Sequence, residues 1–217
     1  MARSSSRRVA RVGLVRRRRA AALALLAALA AGPVLSSCSP LGVATGAGAT
    51  AGVAVAQERP VGEAVSDTAI DLEINHALFM AHIDDLYREV NIDVVEGRVL
   101  LSGTVRDQEL VDRAAELAWK VDGVRQVINE IRIGDDTAVD VVRDRWITTK
   151  LRGHLLTDRQ VLDINYSITT VNGTVYLLGI AQDQAELDRV IAHARTLEHV
   201  RRVVSHVVFK DDAARRG

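Results

Sequence analysis

The sequence predicts an α+β protein of two tandem αββαβ units, each with two helices on one face of a three-stranded sheet. Three observations predict this. The chain repeats itself: Glu96-Gly97-Arg98-Val99-Leu100-Leu101-Ser102-Gly103 returns 76 residues later as Asn172-Gly173-Thr174-Val175-Tyr176-Leu177-Leu178-Gly179. The match runs on without a gap, placing Asp107-Gln108 on Asp183-Gln184 and Val124-Arg125 on Val200-Arg201. Such self-similarity means two homologous domains. Each copy also gives the same order of patterns, and each places a glycine turn between two short strands.

The elements follow in chain order. Ile70, Ile74, Leu78 and Ala81 fall at near-helical spacing, as do Ile147, Leu151 and Leu155, so each unit opens with an amphipathic helix. These two helices align with a shift of one residue relative to the rest of the repeat. A strand follows at Asn91–Val95 or Tyr166–Val171, then the pair Glu96-Gly97 or Asn172-Gly173. Asn-Gly is a strong hairpin signal, because a type I′ turn needs positive φ at both central residues. The returning strand is Val99–Val105 or Val175–Ala181. Gly97, Gly103, Gly173 and Gly179 are read as structural turn glycines. Asp107 and Asp183 stand where an N-cap belongs, before helices running to about Asp122 and Glu198. Gly123 suits a helix stop, and His199 replaces it in the second copy. The last strands are Val124–Ile133 and Val200–Phe209. Units of about seventy residues have small cores, so packing one against the other would help both.

Ahead of the repeats lies a processing signal. Residues 1–37 hold eight of the 28 basic residues and no acid, and the apolar run Ala20–Ala31 is too short for a bilayer-crossing helix. The small-residue stretch Leu35-Ser36-Ser37-Cys38 resembles the lipobox of bacterial lipoproteins, in which the cysteine becomes the acylated first residue. Cys38 is the single cysteine of the chain and is assigned as the lipid anchor. The expected divisions are a signal peptide 1–37, an Ala/Gly/Val-rich tether 38–66, domains at 67–134 and 139–210, and a tail 211–217. From Cys38 onward the chain is acidic by eight charges, which excludes general nucleic-acid binding.

The αββαβ order, the paired glycines and the Val-x-x-Val exits of the second helices together resemble the BON domain. Two such units behind a lipobox resemble the dual-BON outer-membrane lipoproteins associated with division and envelope stress. That resemblance implies an anchored protein on the inner, periplasmic leaflet of the outer membrane. It also implies binding to anionic phospholipid through the first helix of the second domain, a part in envelope integrity, and no catalysis, cofactor or small-molecule substrate.

The residues bear on that implication. The stretch 67–89 carries six acids and one base, whereas 139–160 carries three acids and five bases: Arg143, Arg145, Lys150, Arg152 and Arg159. Trp146 stands where the first copy has Ile70 or Asp71. Tryptophan among cations suits a bilayer interface, so Arg143, Arg145, Trp146, Ile147, Lys150 and Arg152 are the candidate phospholipid contacts. Trp119 is read as a core or domain-contact residue. His76/His82 and His193/His199, six apart on helices, face different ways and are read as solvated or capping histidines rather than metal clamps. No catalytic motif is present. A second reading from a different class is an adaptor that docks envelope or division proteins.

Overall fold

The computed structural model describes residues 61–81, 84–212 and 215. Cys38, the signal segment and the tether up to residue 60 lie outside the described residues.

The first domain comprises α1 (Val61–Met80), α2 (Asp84–Glu89), β1 (Val90–Val95), β2 (Arg98–Val105), α3 (Gln108–Trp119) and β3 (Gln126–Ile133). The second comprises α4 (Ala138–Thr157), a 3₁₀ turn at Asp163–Asn165, β4 (Tyr166–Val171), β5 (Thr174–Ala181), α5 (Gln184–Arg195) and β6 (Arg202–Phe209). The αββαβ order holds, with three differences. α1 begins at Val61, inside the stretch read as tether. A short helical piece, α2 or the 3₁₀ turn, also precedes the first strand of each sheet, too short to show a period in sequence. Helices α3 and α5 stop three residues earlier than expected, and Gly123 and His199 sit in the turn beyond them, at φ +90° and +69°.

Local chemistry sets the element ends. Asp107 and Asp183 cap α3 and α5, accepting the N–H groups of Leu110 at 3.0 Å and Glu186 at 2.9 Å. Thr137 and Asp140 form a reciprocal capping box at the start of α4. Within each sheet the first two strands are antiparallel and the third runs parallel to the second. One face of β2 (Val99, Leu101, Val105) packs under Ile70, Ile74 and Leu78 of α1 and Ala114 and Ala118 of α3. The second domain repeats this with Val175 and Leu177 under Ile147, Leu151 and Leu155.

The opposite sheet faces meet each other. Val95 and Leu100 of the first domain pack with Val171, Tyr176, Leu178 and Ile180 of the second, giving four layers: helices, sheet, sheet, helices. Two pairs of repeat-equivalent residues touch across this plane. Thr169 donates its hydroxyl to Asp93 at 2.8 Å, and His206 Nε2 lies 2.9 Å from Glu130 Oε1. Equivalent positions that meet mark a pseudo-two-fold axis, the pattern of an isologous interface within one chain.

Gly97 and Gly173 are turn glycines, at φ +71° and +70° after Glu96 and Asn172, which are themselves left-handed. Gly103 and Gly179 are not turn residues and correct the sequence reading. They lie inside β2 and β5, where a Cβ would meet the Glu89 carbonyl oxygen at 1.9 Å or that of Asn165 at 2.2 Å. Close approach of the neighbouring backbone excludes a side chain there.

Candidate functional site

The hairpin turns are held from the first helix of each domain. Asp67 accepts the N–H groups of Glu96 and Gly97, both at 2.8 Å. Asp144 accepts those of Asn172 at 2.6 Å and Gly173 at 2.8 Å. Burial raises the Asp144 carboxyl above its ordinary value against the lowering effect of those two N–H bonds. Because Asp67 and Asp144 do the same work, they fix the register of α1 against α4. The counterpart of Trp146 is therefore Ala69, not Ile70 or Asp71. By the same register Arg143, Arg145, Lys150 and Arg152 stand where the first domain has Ser66, Thr68, Glu73 and Asn75.

Helix α4 buries Asp144, Ile147, Leu151 and Leu155. Ile147 is 0% exposed and belongs to the core, so its assignment as a surface contact is corrected: it points 100° away from Trp146 around the helix. The outward face carries an apolar ridge of Val139, Val142, Trp146 and Leu156, all exposed, with Trp146 at 40%. Arg145 and Arg152 flank it on one side, Arg143 and Lys150 on the other. Lys150 Nζ is 5.9 Å from the centroid of the Trp146 ring, within cation–π range. Arg143 pairs with Asp140 at 3.2 Å, and Arg152 Nη2 donates to the Ile168 carbonyl at 3.4 Å. Among the described residues, Arg145 makes no ion pair or hydrogen bond through its side chain.

Sequence reasoning missed Val139, Val142 and Leu156, which mimic core positions in composition. It also missed His199, whose ring lies edge-on to Trp146 with centroids 6.3 Å apart. The available signal was the mismatch of His199 with Gly123 inside a well-matched stretch of the repeat. Trp119 is 55% exposed at the end of α3 and belongs to neither the domain core nor the buried cluster between the sheets. His193 is not a solvated or capping histidine, since its Nε2 lies 2.8 Å from Asp158. That bond, with the Gln160 N–H, holds the Asp158 carboxyl below its ordinary value. His82 lies outside the described residues. Among the described residues no group of three His, Cys, Asp or Glu side chains is placed to hold a metal, and no helix is long and apolar enough to cross a membrane.

The model of the BON domain matches residues 66–135 and again 143–211. The chain belongs to the BON-domain family. Its two BON domains stand in tandem, each formed by one of the αββαβ units described above. An uncharacterised protein of Anaplasma centrale is 37% identical over 154 residues, covering 70% of this chain and all of that protein. The outer membrane lipoprotein DolP of Haemophilus influenzae is 30% identical over 167 residues, 76% of this chain and 84% of the relative. A 21 kDa hemolysin of Actinobacillus pleuropneumoniae is 32% identical over 157 residues, 70% of this chain and 80% of the relative. Among solved structures, CdsD of the Chlamydia trachomatis type III secretion system aligns at a TM-score of 0.27 and 20% identity, over 66% of this chain and 63% of that one.

Proposed function

We propose that this tandem BON protein is a non-enzymatic envelope lipoprotein, anchored through Cys38 to the inner leaflet of the outer membrane. Its second domain binds anionic phospholipid and so supports envelope integrity. The observation that carries this reading is the outward face of α4: an exposed Val139–Val142–Trp146–Leu156 ridge between two rows of cations. Tryptophan rests at headgroup depth, aliphatic side chains reach the acyl boundary, and each cation near an anionic surface adds roughly 1 kcal/mol. The named relative DolP, an outer membrane lipoprotein, supports the location. A tether from Cys38 would hold α4 at high effective concentration over the same leaflet.

The test is co-sedimentation with vesicles of the chain from residue 39 onward, free of the basic signal segment and of an acylated cysteine that would mask the contact. Binding that requires phosphatidylglycerol in phosphatidylcholine vesicles, weakens with salt and is lost in Lys150→Glu supports the reading. Absence of binding to any vesicle sinks it. One observation favours the adaptor instead: Leu72, Phe79, Met80 and Tyr87 are exposed on the first domain, with Phe79 and Tyr87 edge-to-face at 5.6 Å. Arg88 is the single base of residues 67–89 beside six acids, a balance that suits a protein better than an anionic bilayer.

A further inference from the structure

The turn before β6 departs from its repeat in two linked ways. The first domain has Gly123 at φ +90°, and the second holds His199, a residue with a side chain, at φ +69°. A left-handed backbone is uncommon for a residue with a Cβ, and histidine is among those that adopt it most readily, so the second repeat places an imidazole where the first has no side chain. It packs against Trp146 and, with Arg143 and Arg201, lines a cavity of about 130 Å³ beside the hairpin turn.

The second departure concerns Arg201. Its counterpart Arg125 is paired with Glu63 at 3.5 Å. The acid equivalent to Glu63 is Asp140, one methylene shorter, and it is taken up differently. Asp140 accepts the Thr137 hydroxyl at 2.5 Å and Arg143 Nη1 at 3.2 Å. The other carboxylate lining the cavity, Asp144, spends both oxygens on backbone N–H groups. Among the described residues the Arg201 guanidinium makes no hydrogen bond or ion pair; Asp140 feels it only through space. A cation paired in one repeat is thus released in the other, beside an imidazole that the first repeat lacks and that packs on a half-exposed indole.

We propose that Arg143, His199 and Arg201 form a phosphate-binding subsite at the foot of the Trp146 ridge. Guanidinium forks and an imidazole N–H suit phosphate oxygens. The phosphate belongs either to a lipid headgroup whose acyl side meets the ridge or to a free phosphate. The lipid case rests on the membrane reading above; the anion site itself does not.

The experiment uses the chain from residue 39 onward with vesicles of phosphatidylcholine, with and without phosphatidylglycerol, and inorganic phosphate as a separate probe. His199→Gly restores the residue of the first repeat and is expected to melt no lower than the parent. His199→Asn keeps a residue that tolerates left-handed φ without the imidazole. Arg201→Gln is expected to weaken anionic-vesicle binding about fivefold, and His199→Gly and His199→Asn are each expected to weaken it as well. Inorganic phosphate is expected to shift the amide resonances of residues 199–201 in the parent and not in Arg201→Gln. Parent-like binding in these variants, with loss in Trp146→Ala, overturns the subsite and leaves the membrane reading standing. No vesicle binding with a retained phosphate shift upholds the subsite as a free-phosphate site and removes the membrane reading. Neither binding nor shift overturns both.

Discussion

Asp67 and Asp144 show how much of this fold rests on single side chains. A type I′ hairpin leaves two backbone N–H groups pointing away from its ladder, and buried donors need acceptors. The carboxylate on the first helix supplies them and ties helix to turn. Asp144→Ala is expected to cost about 2–3 kcal/mol in urea unfolding, because charge-assisted bonds are lost and one buried and one half-buried donor are orphaned. Asp158 gives the pH dependence. Its folded-state carboxyl lies below the ordinary value through His193 and Gln160, so the folded chain holds that proton less tightly than the unfolded one. The stabilisation is present above an unfolded value of about 3.9 and is lost as pH falls through the lower folded value. In His193→Ala, melting temperature measured against pH should fall less steeply on the acid side.

At the scale of one helix, α4 serves two opposed surfaces, and apolar residues on both faces explain why its sequence was read only in part. The spacing of Ile147, Leu151 and Leu155 gave the core face. Trp146 and the bases were legible from their contrast with 67–89. Ile147 is next to Trp146 in sequence but not in space, since neighbours on a helix diverge by 100°. The paired substitutions separate the faces. Ile147→Ala is expected to cost about 2–5 kcal/mol of stability through the cavity it leaves. Trp146→Ala should leave the melting temperature near the parent value while reducing anionic-vesicle binding about tenfold. A Trp146→Ala protein that unfolds early would place the indole in the packing rather than at the surface.

Across the whole molecule, two small domains share a second core between their sheets. Val95 and Leu100 cover Tyr176, Leu178 and Ile180, so neither domain presents a finished surface by itself. Arg98 reaches over the plane to the His206 carbonyl at 2.6 Å, and Arg215 returns to Glu96 at 2.6 Å with both side chains nearly covered. Among the described residues the Tyr176 hydroxyl, buried here, has no hydrogen-bond partner, and burying such a group without one costs stability. Tyr176→Phe should therefore raise stability by about 1 kcal/mol in urea unfolding; a loss would show that the hydroxyl is satisfied by water. Because the second core joins the units, unfolding followed by near-UV circular dichroism should be a single transition rather than two.

The repeat, the element order, the hairpin turns and the N-caps were determined by the sequence alone, because each depends on residues within one or two turns of chain. The charge contrast between the two first helices was equally plain, since it needs only counting. The tertiary structure decided which face of α4 is free and that Gly103 and Gly179 are points of backbone contact rather than turns. It also decided that Trp119 is exposed, that His199 meets Trp146 and that Arg201 lines the same cavity as His199. Those facts depend on segments tens of residues apart being packed together, and no local pattern encodes that distance. The pairing of Glu130 with His206 is the clearest case: the sequence marks them as equivalent, and only the folded sheets make them touch.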